Sequence, residues 1–510
     1  MSTIIYTPTR GKAALMVLEN DQLRIFELET EIDRPEKQHW TIGRFSHDPA
    51  RKADIELQSP LASRQHAVIQ YFDHKWYYAD NPGNTNGTIR NGSMLPNDGS
   101  GERVYTQLKN GDLLRIDSLD PNYPAGNGVL MRFTLLPVDG EWSVLRMRSD
   151  KPISIGRNPA CDIVEPFPYI SAKHAEIFCS GGHFYVRDCG SKAGTFLNEQ
   201  RVRGEIRLRE RDCISLCDRN YFFLGDKLIY AKKTAAYGGT DKRVALKADI
   251  ATKLVKDHKT GKQRALIKDI HLEIRRGTLV ALLGTAGAGK STVMNCINGM
   301  DLNGVQGTVL YNDVDLMENF ERMKHLIGSV PQKKVFHPMF TPEKEFEFAA
   351  IKRLPADTSK QEIQQRVDKT LEMLSISGVR KNRNSRLSGG EQTRVNVGIE
   401  LVADRDLLCL DEPDQGLSPN YKKELFEIMH KLAHENGKTV LCIIHDVTKI
   451  AMFDQVIMLA KANGVGRLAF SGSPAQARKF FGCDISEAYE LLESAPERYV
   501  ARWEAECGRR

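Results

Sequence analysis

Short runs in which apolar and polar positions alternate fill the first 230 or so residues: HAVIQYF at 66–72, KWYYAD at 75–80, HAEIFC at 174–179 and HFYVRD at 183–188. Alternation with period two turns one face of an extended chain to a core and the other to water, so these runs predict half-buried strands. The NPG, NGS, GNG and GG between them supply turn conformations. From about residue 245 the pattern changes. TLVALLG (278–284), DLLCLDEP (406–413) and TVLCIIHD (439–446) are continuous apolar runs of the fully buried type, and they alternate with helical stretches such as KKELFEIMHKLAHENG (422–437). That order builds a sheet flanked by helices.

The β-rich half repeats itself. Ile42-Gly43-Arg44 recurs at Ile155-Gly156-Arg157, Ser63-x-x-His66-Ala at Ser171-x-x-His174-Ala, and Gly87-Thr88 at Gly194-Thr195, each roughly 107 to 113 positions later. A displacement of that size predicts two sandwiches rather than a solenoid. The expected organisation is multidomain: all-β units over 1–138 and 139–232, a glycine- and charge-bearing linker over 233–247, an α/β domain over 248–475 and a helical tail over 476–510.

At 510 residues the chain exceeds one ordinary core. A net charge of +6 over this length is too dilute for a nucleic-acid-binding surface, so no nucleic-acid partner is expected. The ten cysteines all follow residue 160 without a C-x-x-C pair, which predicts reduced, mostly buried thiols rather than a zinc site. The N-terminus lacks the layout of a signal peptide, and no run approaches the ~18 to 20 apolar residues of a membrane span. The expected location is cytoplasmic, peripheral at the inner face of the membrane at most.

The α/β half carries the chemistry. Gly284-Thr285-Ala286-Gly287-Ala288-Gly289-Lys290-Ser291-Thr292 follows a buried-type strand and opens a helix, the context of a phosphate loop. Glycines let backbone N–H groups curl around phosphate oxygens, and the helix N-terminus favours negative charge. Lys290 is expected to reach the β- and γ-phosphates of ATP and the Ser291 hydroxyl to ligate Mg²⁺. Leu407 to Leu410 form an apolar strand ending in Asp411 and Glu412, read as the metal-side carboxylate and the general base. Standing alone, such a pair would be two acids ending a strand in solvent.

Together with the phosphate loop, Leu387-Ser388-Gly389-Gly390-Glu391-Gln392 resembles the ATP-binding-cassette (ABC) family. The resemblance covers about residues 248–475. It implies an ATP-hydrolysing domain with Gln332 as the Q-loop glutamine, catalytic and metal-facing, and His445 as the switch histidine. It also implies a head-to-tail homodimer, in which the partner copy's Ser388, Gly389, Gly390 and Glu391 complete the site at Lys290. VPQKKVFHPMFTPEKEFEFAAIKRLP (330–355) and GIELVADRDLLCLDEP (398–413) look most like the G-type exporter subfamily. Two departures stand out: Gly416-Leu417-Ser418 replaces the family's Gly-Leu-Asp, and no Tyr, Phe or Trp lies between Ala248 and His271 to stack on adenine, leaving Leu254 or Val255 for that contact.

The first repeat, with Gly43-Arg44, Ser63-Arg64-x-His66, Asn84-Thr85-Asn86-Gly87-Thr88 and Asn91-Gly92, resembles the forkhead-associated (FHA) domain, a sandwich that reads phosphothreonine through loops at one end. Arg44 would supply a forked cation, Ser63 a hydroxyl donor, Arg64 a second charge, and Thr85 or Asn86 hydrogen bonds to peptide, while His66 props the loops. The second repeat keeps Arg157, Ser171 and Lys173, but Ala193 stands where the family has asparagine, so phosphate binding competes there with a packing or dimer-forming role. Thr234 and Thr240 in the linker are candidate self-ligands once phosphorylated.

In FHA-containing ABC exporters a membrane domain normally follows the ATPase; here none follows before Arg510. The joint resemblance therefore implies an ATPase subunit energising a separate transmembrane permease, recruited or regulated through phosphothreonine-containing kinase targets, with Gln332 through Phe348 as coupling surface. The alternative is a non-transport ABC switch or phosphoprotein scaffold that remodels a protein assembly.

Overall fold

The computed structural model describes residues 12–508 apart from 20–21, 30–38, 49–51, 73–74, 91–92, 97–100, 110, 119–127, 135–140, 210–211, 224, 233–243, 257–262 and 313. Asn91-Gly92, Thr234 and Thr240 lie outside the described residues, as does most of the expected linker. The four alternating runs form strands Ala67–Phe72, Lys75–Asp80, Ala175–Ser180 and His183–Asp188.

Each β-rich unit is two sheets face to face. In the first, a sheet in the order Ile55–Leu57, His39–Arg44, Ala67–Phe72, Lys75–Asp80, Thr106–Gln107 packs on a six-stranded partner. Alternation drives Trp40, Ile42, Ile69, Trp76 and Tyr78 inward against Leu15, Val17, Leu114, Met131 and Phe133. The second unit repeats the five-stranded order as Ile163–Val164, Ile153–Gly156, Ala175–Ser180, His183–Asp188, Glu205–Arg207. The recurrent Gly-Arg has a steric cause: a Cβ on Gly43 would lie 2.0 Å from the Arg64 carbonyl oxygen, and one on Gly156 would lie 2.2 Å from that of Ala172.

The α/β half contains a ten-stranded sheet. Its parallel core runs Gln455–Ala462, Leu279–Gly284, Thr439–Ile443, Leu407–Asp411, Ile327–Val330, and these strands are buried except at Ser329, Asp411, Gln455 and Lys461, as continuous apolar runs require. The first strand starts at Val244, inside the stretch read as linker. Helices Pro342–Arg353, Lys360–Met373 and Gly389–Leu401 pack on one another beside the sheet, and Gly398 admits the Phe346 ring at the crossing. The tail is not an appendage. Helices Pro474–Phe481, Ile485–Ser494 and Pro496–Gly508 bury Phe480, Phe481, Tyr499 and Trp503 against Phe470 of the sheet.

One apolar core runs without a break from the second sandwich into the α/β half, whereas the first sandwich keeps its own. Among the described residues no helix is long and apolar enough to cross a membrane. None of the ten cysteines forms a disulfide; five are buried and five are half-buried.

Candidate functional site

Four chain segments leave the parallel sheet at the carboxyl ends of neighbouring strands, where ligands of α/β sheets collect. Leu279–Gly284 runs into the glycine loop and helix Lys290–Ile297. Gly287 and Gly289 adopt φ of 72° and 85°, a left-handed backbone that suits a loop wrapping an anion. Lys290 folds back on this loop, its Nζ donating to the carbonyls of Gly284 (2.9 Å) and Thr285 (3.3 Å). Partial burial lowers its pKa, against the pull of Glu412 and Asp411. Thr285 and Ala288 are buried, Ala286 and Gly287 exposed, and Thr292 is half-buried.

Asp411 and Glu412 end the buried strand Leu407–Asp411. Burial, then the neighbouring Glu412 charge, raises the Asp411 pKa; the Ser291 hydroxyl hydrogen-bonds it and pulls the other way. A serine hydroxyl and a carboxylate side by side are hard oxygen donors suited to magnesium, which takes its remaining ligands from phosphate and water. Glu412 sits at φ 47°, a strained setting for a side chain, and its amide is tied to the Ile443 carbonyl at 3.1 Å. His445 Nε2 faces Glu412 Oε1 at 2.8 Å, and Gln332 Nε2 donates to Oε2 at 2.9 Å. Gln332 thus engages Glu412 rather than Asp411, with its side-chain oxygen able to serve a metal. Gln415, which the sequence reading did not single out, also donates to Glu412 at 3.1 Å and accepts from Gln332 at 2.9 Å.

Ser388 caps helix Gly389–Leu401 in a reciprocal box with Glu391, whose carboxylate accepts from the Ser388 amide and hydroxyl, both at 2.8 Å. Glu391 therefore shapes the helix start. Among the described residues the N–H groups of Gly389 and Gly390 find no acceptor, and no hydrogen bond joins this helix start to the Lys290 loop. Lys334, unforeseen from sequence, adds positive charge beside it, donating to Gln392 at 3.0 Å. Leu254 and Val255 are half-buried on strand Val244–Lys256. Ser418 caps helix Pro419–His434 without a side-chain hydrogen bond.

In the first sandwich Arg44 leaves its strand with its amide on the Ser63 carbonyl at 2.9 Å, and its side chain makes one contact among the described residues, Nη1 to the Pro60 carbonyl at 3.3 Å. Arg64 and Thr85 are exposed, Ser63 half-buried, and Asn86 donates to Leu61 at 3.1 Å. His66 is fully buried. Its Nδ1 accepts from the Ser63 amide (3.2 Å) and its Nε2 faces Thr88 Oγ1 (3.2 Å), which donates to Asp80 (2.6 Å). Burial holds its pKa below the ordinary range, against the pull of Asp80. In the second sandwich Ser171 and Ala193 are buried, Lys173 pairs with Glu176 of its own sheet, and Arg157 is engaged by carboxylates of the α/β half.

The family model described as ABC transporter matches residues 267–415, and the FHA domain model matches 40–117 and 153–217. The chain is 31% identical over 360 residues to an ABC transporter ATP-binding/permease protein of Mycobacterium tuberculosis, covering 70% of this chain and 40% of that one. It is 31% identical over 246 residues to ABC transporter G family member 17 of Arabidopsis thaliana, covering 46% and 36%. It thus spans less than half the length of these relatives. Among solved structures it is similar to a dimeric ATP-binding cassette in a post-hydrolysis state bound to ADP and Pi, with 24% identity, TM-score 0.40 and coverage of 45% of this chain and 98% of that one. It is also similar to a part of an ABC transporter complex from Clostridium perfringens, with 25% identity, TM-score 0.41 and coverage of 49% and 99%.

Proposed function

We propose, from the premise that this chain is a tandem-FHA protein carrying an ABC-type ATPase domain, that two copies close head to tail around Mg-ATP and that its hydrolysis drives a separate membrane permease recruited through phosphothreonine. The observation that carries the catalytic part is the grip on Glu412: His445 at 2.8 Å and Gln332 at 2.9 Å hold its two oxygens at the mouth of the phosphate loop. A carboxylate so held is placed to take the proton of an attacking water, with Lys290 swinging from its loop carbonyls to the β- and γ-phosphates. Magnesium, when bound, supplies charge neutralisation of the phosphates; Ser291, Asp411 and Gln332 are the residues that would hold it.

The dimer reading rests on the helix start at Ser388. Its Gly389 and Gly390 N–H groups, without an acceptor among the described residues, form an anion site that a second copy's γ-phosphate satisfies. The permease reading is supported by the surface after Gln332, where Val335, Met339, Phe348 and Ile351 stand exposed on and before helix Pro342–Arg353. The phosphothreonine reading is supported by Arg44, whose guanidinium has no carboxylate partner among the described residues. A cytoplasmic location, peripheral at the membrane, follows from these partners.

Glu412→Gln tests the core of this reading. Removing the base while keeping metal and phosphate contacts slows turnover by roughly 10²-fold or more and leaves an ATP-bound dimer visible by light scattering; a monomer at saturating Mg-ATP rejects it. Affinity capture of the full chain from the membrane fraction of its native cells is expected to return a stoichiometric polytopic protein. Recovery of soluble partners alone moves the function to a non-transport switch.

A further inference from the structure

The two sandwiches present equivalent ligand-reading ends, yet only one of them is open. In both, the arginine after the Gly-Arg strand fixes its amide on the loop serine carbonyl at 2.9 Å, for Arg44 on Ser63 and for Arg157 on Ser171. The Arg157 side chain, only 15% exposed, then meets two acids of the ATPase lobe. Nη1 bonds Glu362 in the first turn of helix Lys360–Met373, and Nη2 faces Asp357 at 3.9 Å. Asp357 also accepts the backbone N–H of Ala172, in the loop after Ser171, at 2.7 Å. Lys192, whose amide lies 3.4 Å from Ser171 Oγ, reaches across to the carbonyls of Lys352 and Leu354, the latter at 2.9 Å.

An arginine fork and a loop N–H converging on two carboxylate groups, with Lys192 beside them on backbone carbonyls, are the donors that would otherwise take the oxygens of a phosphate. The fit is incomplete in a telling way. Arg157 Nη2 is buried without a hydrogen bond, and so is the hydroxyl of Thr358, between the two acids. Two carboxylates leave Arg157 Nη2 unfilled, a donor that a tetrahedral, more highly charged phosphate would fill.

We propose that the reading end of the second sandwich is occupied in cis by residues 357–362 of its own ATPase domain, with Asp357 and Glu362 in the place of a phosphate, and that phosphothreonine peptides bind Arg157 only by displacing this segment. This rests on the FHA reading above and deepens it: the first sandwich recruits partners, and the second reads the ATPase lobe. Lys173, paired with Glu176, takes no part.

The test uses the full-length chain and a fluorescent phosphothreonine peptide pool with randomised flanks, beside its unphosphorylated counterpart, by anisotropy. Arg157→Ala with Arg44 intact reports the first sandwich alone; phosphate-dependent binding there upholds the FHA reading whatever the second does. Arg44→Ala is expected to abolish phosphate-dependent binding. Adding Asp357→Asn and Glu362→Gln is expected to restore it at least tenfold, and further adding Arg157→Ala to remove it again. Glutamine at 362 can still close the capping box with Ser359. No gain on neutralising the two acids, or Arg157-dependent binding already present in Arg44→Ala, overturns the proposal. As a second measurement, amide hydrogen exchange over 170–173 and 355–362 is expected to quicken in Arg157→Ala; unchanged protection also overturns it.

Discussion

Glu412 shows how much of the candidate site is fixed by single residues. A left-handed backbone at a non-glycine position costs free energy, yet it turns the carboxylate out of line with Asp411, so that one acid faces the Ser291 hydroxyl and the other faces His445, Gln332 and Gln415. His325 illustrates a different use of charge. Burial first, then the cations Arg405, Lys324 and Lys192, push its pKa down to about 4, and Arg405 also donates to its carbonyl. The unfolded chain takes up this proton near pH 6.5 and the native one does not until about pH 4, so stability present above 6.5 drains away as pH falls across that window. His325→Gln should therefore lose less stability than the wild type between pH 7.5 and pH 5, by about 2 kcal/mol, read from the denaturant midpoint of the ATPase domain. Equal losses would mean that His325 is protonated without penalty.

At the scale of elements, the repeat works because a strand must pass within contact of a loop backbone. A Cβ on Gly43 would lie 2.0 Å from a carbonyl oxygen that cannot move aside without dislodging Ser63 and His66. Gly43→Ala is expected to destabilise the first sandwich by about 2 to 3 kcal/mol and to cost phosphopeptide affinity while ATP turnover persists, checked by a thermal melt and anisotropy on one preparation. The Gly-Arg recurrence was legible in the sequence for this reason, since a steric demand on one position leaves a mark that repeats. The strands that lead into the phosphate loop and into Asp411-Glu412 were legible because buried parallel strands read as unbroken apolar runs, whereas their order in the sheet was not. The Ser388–Glu391 box was written too, as the S-x-x-E of a reciprocally capped helix start. Other features left no such mark. Gln415 enters the Glu412 network only through a turn whose geometry follows from Gly416 at φ 72°. The pairing of Arg157 with Glu362, 205 positions away, has no periodic or local signature at all.

For the whole molecule, the division that matters is not the one between the β-rich and α/β halves. The second sandwich shares an apolar core with the ATPase domain, and polar ties reinforce the seam: Asn312 to Asp218 at 3.1 Å and Arg322 to Glu199 at 3.2 Å. The first sandwich has its own core and meets the second through a small cluster of Leu18, Leu113 and Leu130 against Cys213, Phe222 and Ile229, with Arg115 bonded to Asp212 at 3.2 Å. Burial of apolar area scales the expected coupling, so the two cuts should differ. A chain beginning at Glu141 should melt within about 2 °C of the full-length ATPase transition, whereas one beginning at Val244 exposes the face of the shared core that the second sandwich covers and should melt at least about 5 °C lower. Scanning calorimetry of the three chains decides it. Equal melting of the two truncations would show that the shared core adds no stability, and would separate the second sandwich from the ATPase domain as cleanly as the first.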